Sequence, residues 1–332
     1  MKSFLIQSPT RVDLAGGTLD LWPLYLFVGG ATTVNVAIDL YTKAELTPLA
    51  TTEIELISED LGLTRKFSSL MECLIDPDPR MNLLNVQLKY WRPLHGFRLT
   101  TSSMSPVGGG LGASSSLTIS LLKAFQFFCG KQFVDTHDMV TVAHNIEAEV
   151  LNTPTGTQDY YPAASGGVNI LQYSYSGISH EVLSVDHTDL ANYFLLVHTG
   201  KAHHSGINNF EVMKKAVNKD HKTIHALIKL KEIAEETAKV SRAGRWTQLP
   251  ALFRDEYKWR IELSPTFSSP EIEKLAELSL QAGAEAVKIC GAGGGGCVLI
   301  WCPPSQREGV TKACQAAGFP VLAAKPVAPL TI

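Results

Sequence analysis

Side chains able to do chemistry gather in four short stretches of this sequence. The first is Ser8-Pro9-Thr10-Arg11-Val12-Asp13-Leu14-Ala15-Gly16-Gly17-Thr18-Leu19-Asp20. The second is Pro106-Val107-Gly108-Gly109-Gly110-Leu111-Gly112-Ala113-Ser114-Ser115-Ser116. The third pairs Glu147 with Asp159, and the fourth is Gly291-Ala292-Gly293-Gly294-Gly295-Gly296. Glycines without Cβ let a backbone approach a ligand closely and take up φ > 0. A helix starting just after such a loop aims free N–H groups and the positive end of its dipole at the same spot. The second stretch therefore reads as an anion cradle, with phosphate as the expected anion. Its serines add donors and a hydroxyl that can ligate Mg²⁺. The competing reading is a helix N-cap with a flexible approach loop.

These groups need elements to hold them. Residues 97–102 read as a strand that delivers the chain to the glycine–serine loop, and the apolar run 117–129 suits a helix. A second helix is expected over 136–151, capped by Asp135, and it carries Glu147. Glu149 points about 200° away from Glu147 around a helix, so only one of them can face a given site. His144 lies one turn earlier on the Glu147 side, and Asp159 follows a Pro/Gly loop beside two tyrosines. Taken alone, Glu147 reads as a solvated helix residue and Asp159 as a turn residue.

Ahead of the loop, residues 4–6 and 11–14 read as two short strands broken at Ser8-Pro9. A turn at Gly16-Gly17-Thr18 and a short helix over 19–27 follow, then β-rich segments over 32–38, 43–49, 53–58 and 65–67. Past residue 190 the expectation is a strand at 194–198 and helices over 205–217, 222–241, 246–263 and 270–282. Two strands joined by the fourth stretch, a helix over 306–317 and a final strand at 321–325 complete the chain. The glycine run 291–296 formally matches G-x-G-x-x-G, but a dinucleotide fold needs a helix directly after it. Residues 297–301 read as a strand, so that reading is rejected. The run holds more glycine than a hairpin turn needs, which suggests a backbone surface for a ligand. No G-x-x-x-x-G-K-[ST] occurs, so this is not a P-loop protein.

A chain of 332 residues with 45% hydrophobic content supports a large core and two domains, divided as 1–190 and 191–332. The net charge of −3, without a basic block, argues against nucleic acid and anionic membrane as partners. Six cysteines without a C-x-x-C pair read as reduced core thiols. The apolar run at the N-terminus is short for a signal peptide, and a cytoplasmic protein is expected.

Taken together, the three glycine-bearing stretches resemble, in order and spacing, the three motifs of the GHMP kinases, a superfamily that includes galactokinase, homoserine kinase and mevalonate kinase. The middle motif is the most specific, and the likeness covers nearly the whole chain. Ala15-Gly16-Gly17-Thr18-Leu19-Asp20-Leu21, Gly156-Thr157-Gln158-Asp159-Tyr160, Gly166-Gly167 and the run from Lys288 to Gly296 are similar to the sugar-1-kinase branch, and to the D-glycero-D-manno-heptose 7-phosphate kinases in particular. The resemblance implies an α+β fold: an N-terminal α/β ATP-binding domain with the glycine-rich phosphate loop, and a ferredoxin-like α+β C-terminal domain. It implies transfer of the γ-phosphate of ATP to a hydroxyl, read as the anomeric one, of a sugar or sugar phosphate, in a monomer or homodimer.

By the same resemblance, Asp159 and Arg11 are catalytic, with the arginine keeping its partner ionised. Ser114 and Glu147 hold Mg²⁺. Pro106, Gly108, Gly109, Gly110, Leu111, Gly112, Ala113, Ser114 and Ser115 bind ATP together with Gly293 and Gly294. Gly17, Thr18, Asp20, Asp159 and Gly291 bind the acceptor, while Ser115 and Ser116 start the helix. Three departures from the heptose-kinase pattern stand out. Thr157 occupies a position where that family has lysine, and Gly-Gly-Thr-Leu-Asp replaces Gly-Gly-Gly-Thr-Asp. His203, His204 and Ser205 stand where the family has an arginine and are candidate substrate contacts. A mevalonate-type alcohol kinase and a silent nucleotide- or sugar-binding regulator are the alternative readings.

Overall fold

Burial along the first two strands decides the architecture. The computed structural model describes residues 2–185, 187–202 and 207–330, with backbone alone for 187, 188, 207 and 208. Its large sheet contains β1 (Phe4–Ala15), β2 (Ala31–Pro48), β3 (Ile54–Ser58), β4 (Leu63–Phe67), β5 (Phe97–Ser103), β6 (Val168–Ser174) and β7 (Gly177–Leu183). The order is β4-β3-β5-β2-β6-β7, with β1 paired to β2. Residues 8–15 of β1 and 31–38 of β2 are buried throughout, whereas burial alternates from Asp39 onward. Continuous burial means that both faces of this part of the sheet are covered.

The expected break at Ser8-Pro9 is instead a register shift between Pro9 and Thr10 inside one long strand. Proline lacks the N–H that the ladder needs, and a bulge absorbs the loss. Likewise the two β-rich segments 32–38 and 43–49 are one strand of 18 residues, which gives its first half to β6 and its second half to β5. The helix expected over 19–27 is cut to Leu24–Phe27, because Gly16 to Trp22 form a chain of turns and a bend.

The second sheet, β8 (Phe194–His198), β9 (Ala286–Ile289), β10 (Cys297–Trp301) and β11 (Val321–Leu322), runs β11-β8-β10-β9 and is antiparallel throughout. That is the ferredoxin-like order, with several helices in the first crossover. Strand β10 is apolar at every position because each face has a core. Cys297, Leu299 and Trp301 pack toward the large sheet and the helices His221–Arg242 and Leu249–Leu263. Val298 and Ile300 pack under Pro270–Gln281 and Arg307–Ala316. The third apolar cluster lies between the large sheet and the helices Asn82–Trp91, Ala113–Cys129 and Thr136–Leu151.

Residues 325–330 then return to the first half. Asp39 N–H donates to Lys325 O, Val327 N–H to Ala37 O and Gly167 N–H to Val327 O. A Cβ on Gly166 would sit 2.3 Å from Ala328 O, so Gly166-Gly167 is the gap through which the tail passes. Among the described residues no helix is long and apolar enough to cross a membrane. Trp301, fully buried, stacks on Tyr193 at 5.3 Å and meets Phe253 edge-on at 5.8 Å. Trp301→Ala is expected to cost about 3–5 kcal/mol of stability, read as a lower urea midpoint by circular dichroism.

Candidate active site

Strand β1 brings Arg11 into the doubly covered part of the sheet, where an unpaired charge is costly. Its partner is Asp159, 148 positions later. Nε donates to Oδ1 at 2.7 Å and Nη2 to Oδ2 at 2.6 Å, a two-pronged pair of the kind guanidinium geometry favours. The remaining nitrogen, Nη1, donates to Gly110 O at 2.6 Å, and the backbone N–H of Arg11 donates to Leu111 O. One side chain thus fixes both the glycine loop and Asp159. The Asp159 side chain keeps 23% exposure against 4% for Arg11, so it is the member of the pair open to the cleft.

The glycine loop follows β5. Gly108, Gly110 and Gly112 all have left-handed φ, between 66° and 72°, where a residue with Cβ would be strained. The helix Ala113–Cys129 starts from Gly112 with no side-chain cap. Its first N–H groups therefore have no serine competing for them, as an anion site requires. Loop and helix start form one wall of a cleft of about 430 Å³. The other walls come from Arg11, the 17–20 turn, Glu147, the 154–159 loop, Asn209, Arg260 and Gly291-Ala292. Leu61, Leu83, Leu117 and Leu151 add apolar side chains to the lining.

Glu147 lies on this wall, buried on the helix Thr136–Leu151. Burial pushes its carboxyl above the usual range, and hydrogen bonds from Tyr160, Ser115 and Ser114 pull it back. Tyr160 Oη donates to Oε2 at 2.5 Å and Ser115 Oγ to the same oxygen at 2.8 Å. Ser115 thus does more than start a helix, whereas Ser116 serves the fold through bonds to Ser8 O and Thr42. Ser114 stands exposed at the cleft mouth. Glu149 faces away and meets Lys89, and His144 bonds Thr155 O in the loop that leads to Asp159.

Asp20 is buried beside the same loop. Its Oδ2 accepts the Gln158 N–H at 3.1 Å, and a Cβ on Gly156 would lie 1.8 Å from it, so only glycine fits there. Burial first, and then the nearby Asp159, push its carboxyl up to about 6. Thr18, with φ of 80°, donates to Asn209 Oδ1 at 2.7 Å. Thr157 turns to Tyr173 Oη at 3.3 Å and does not line the cleft.

The hairpin 291–296 is placed differently from the expectation. Gly291 and Ala292 reach the cleft, but Gly293 and Gly294 do not. Its glycines are needed because backbone meets backbone: a Cβ on Gly291 would lie 2.8 Å from Gly110 O, and one on Gly293 2.3 Å from Phe267 O. The hairpin supports the glycine loop from behind, with Cys297 N–H donating to Gly109 O at 2.7 Å. His203, His204 and Ser205 lie outside the described residues.

Sequence reasoning missed Tyr160, Asn209 and Arg260. Tyr160 is adjacent to Asp159 and carried a usable signal as a buried polar aromatic. Arg260, four residues after Glu256, looks in sequence like half of a surface i,i+4 pair.

Known proteins share both the fold and the motifs of this site. The model of the GHMP kinases N terminal domain matches residues 81–167, and that of the GHMP kinases C terminal domain matches 213–319, together more than half of the chain. A D-glycero-alpha-D-manno-heptose 7-phosphate kinase of Campylobacter jejuni is 25% identical over 94% of this chain and 93% of its own length. A mevalonate kinase of Methanocaldococcus jannaschii is 26% identical over 89% and 91%. Among solved structures, a D-glycero-D-manno-heptose 1-phosphate kinase from Bacteroides thetaiotaomicron shares the fold over 100% of this chain and 99% of its own, with a TM-score of 0.78 at 21% identity. The chain belongs to the GHMP kinase family and is a phosphotransferase with an alcohol group as acceptor.

The Asp20 shift has a consequence for stability. Well below pH 3.8 the carboxyl is neutral in both folded and unfolded chains and costs nothing. As pH rises toward about 6 the unfolded chain ionises first, so stability falls; above that a constant penalty of roughly 3 kcal/mol remains. Asp20→Asn should therefore lie close to wild type at pH 3.5 and exceed it increasingly up to pH 6.5. Urea denaturation across that range checks the difference, and a pH-independent difference would contradict burial of the Asp20 carboxyl as its cause.

Proposed function

We propose that this chain is an ATP-dependent kinase that phosphorylates a sugar or sugar phosphate, at the anomeric hydroxyl. The observation that carries the reading is the Arg11–Asp159 fork, which opens onto the glycine loop on one side and the Asp20 pocket on the other. In this reading the leucines of the cleft lining take the nucleoside base, and the loop with the start of the helix Ala113–Cys129 takes the phosphates. Gly17, Thr18, Asp20 and Gly291 border the acceptor. The chain divides near residue 190 into a half that carries the phosphate loop and a half that closes the site.

Mg²⁺ fits the donors present. Glu147 is a buried carboxylate whose charge burial disfavours, and Ser114 adds a hydroxyl at the cleft mouth. Both offer only oxygen, and few protein ligands suit a cation that also takes phosphate oxygens and water. Bound there, the ion would neutralise charge on the phosphates. Tyr160 and Ser115 hold Glu147 in place.

The chain's own groups then act as follows. Asp159, oriented by the two-pronged pair with Arg11, accepts the proton of the acceptor hydroxyl while the new O–P bond forms. The bond from the γ-phosphorus to the bridging oxygen breaks, and ADP leaves with that electron pair. Arg11 and the loop N–H groups stabilise the charge spread over the transferring phosphoryl. Asp20, a second carboxylate in the acceptor pocket, suits hydroxyl donors and opposes a carboxylate acceptor. This favours a sugar over mevalonate, which the relatives' names, at 25% and 26% identity, leave undecided. The combination of Arg11, Ser114, Glu147 and Asp159 disfavours a silent regulator.

Asp159→Asn should lower kcat by about 10²–10⁴-fold and leave nucleotide affinity within about threefold, measured by ADP release and calorimetric titration. Turnover at the wild-type rate would sink the assigned role. Asp20→Ala should raise the acceptor KM at least tenfold, and an unchanged KM would favour the non-sugar alcohol.

A further inference from the structure

Under the cleft floor four charged side chains have no more than 1% exposure: Asp13, Glu256, Arg260 and Lys288. Lys288 Nζ lies 2.9 Å from Asp13 Oδ2 and 3.2 Å from Glu256 Oε1. Arg260 Nη1 lies 3.5 Å from Glu256 Oε1 and 3.9 Å from Asp13 Oδ2. The charges cancel, but Asp13 Oδ1, both Glu256 carboxylate oxygens and Arg260 Nε have no hydrogen-bond partner among the described residues, so Glu256 is held by ion pairing alone. Buried ion networks of this kind are often no more stable than apolar packing of equal volume. Stability alone gives a poor reason for four charges at this place.

What the network touches gives a better one. Arg260 Nη1 donates to Gly17 O at 3.3 Å and Nη2 to Gly291 O at 2.8 Å. Gly17 belongs to the acceptor turn at the end of β1, and Gly291 opens the hairpin that supports the glycine loop. One planar guanidinium spans both, packed over the Phe267 ring at 4.5 Å. A Cβ on Gly17 would lie 2.6 Å from Asp13 Oδ2 and 2.8 Å from Arg260 Nη1, so the network presses directly on the turn. The next residue, Thr18, holds a left-handed conformation while its hydroxyl reaches Asn209. That is a second tie from the same turn to the second half of the chain, and backbone strain of this kind persists only where surroundings enforce it.

We infer that Arg260 is a positioning residue. Anchored by Glu256, Asp13 and Lys288, it sets the distance between the acceptor turn and the glycine hairpin, and so registers the acceptor hydroxyl against the γ-phosphate. The inference rests on the kinase reading above. A lysine in its place keeps the charge but offers one point donor in place of a rigid fork, so it cannot span both carbonyls.

The test is Arg260→Lys in the full chain. Acceptor kcat/KM should fall about 100-fold, since an error near 1 Å in placement costs that much, while nucleotide Kd stays within about threefold. Amide hydrogen exchange should speed up at least tenfold in both 14–20 and 291–296, but not in the helix Ala113–Cys129. Where that variant does not fold, Glu256→Gln carries the same readouts with the same direction. Unchanged exchange in either segment overturns the inference. So does a loss of nucleotide affinity as large as the loss in kcat/KM. A wild-type protein that turns over no acceptor would refute the kinase reading instead, leaving the exchange data to judge Arg260 alone.

Discussion

Everything around the site follows from putting charge where both faces of a sheet are covered. The buried stretch of β1 carries Arg11 and Asp13 two residues apart, and neither can stay there alone. Arg11 takes Asp159 from beyond the 152–156 loop, and Asp13 takes Lys288 from β9. These two pairs tie the first motif to segments 148 and 275 positions away. The glycine loop is bonded by Arg11 on one side and by the Cys297 N–H, just past the 291–296 hairpin, on the other. Rigid positioning of this kind is what phosphoryl transfer asks of a protein, because little covalent help is involved.

The same site stores unfavourable electrostatics. Asp20 and Glu147 are carboxyls whose burial favours the neutral form, and Thr18 sits in a strained backbone region. An optimally stable protein would have none of these. Their common place on the cleft wall is the pattern expected when stability is given up for binding. Asp20 in particular costs stability while it is ionised, yet it is most useful to a hydroxyl-rich ligand in that form.

Much of this was legible in the sequence, for physical reasons. The strand–loop–helix around the glycine motif, the helix carrying Glu147 and the strands β8, β9 and β10 depend on local pattern, and they stand close to where periodicity put them, while the last strand shortens from 321–325 to Val321–Leu322. Local pattern failed where a distant partner decides the geometry. Pro9 looked like a strand break because the bulge that accommodates it is set by β2. Gly166-Gly167 gave no hint that residues 325–330 pass over it, since that contact spans half the chain. Gly293 and Gly294 read as ligand contacts, yet their demand for glycine comes from protein backbone at Phe267 and Thr266. Arg260 was invisible because an arginine four residues after a glutamate is ordinary on a solvated helix, and only the tertiary fold buries it. Lys288 was the available clue: a lysine inside an otherwise apolar strand must have a buried anion nearby.

The central claim is that an Arg11-oriented Asp159 and the Asp20 pocket together receive a sugar hydroxyl. Its most direct measurement is ADP release by the wild-type protein with Mg²⁺ and ATP over free hexoses, free heptoses, heptose phosphates and mevalonate, with the product read by ³¹P magnetic resonance. Turnover is expected with a sugar or sugar phosphate, together with a new phosphorus signal coupled to the anomeric proton. Turnover with mevalonate alone, or a phosphate ester on a non-anomeric carbon, would contradict it.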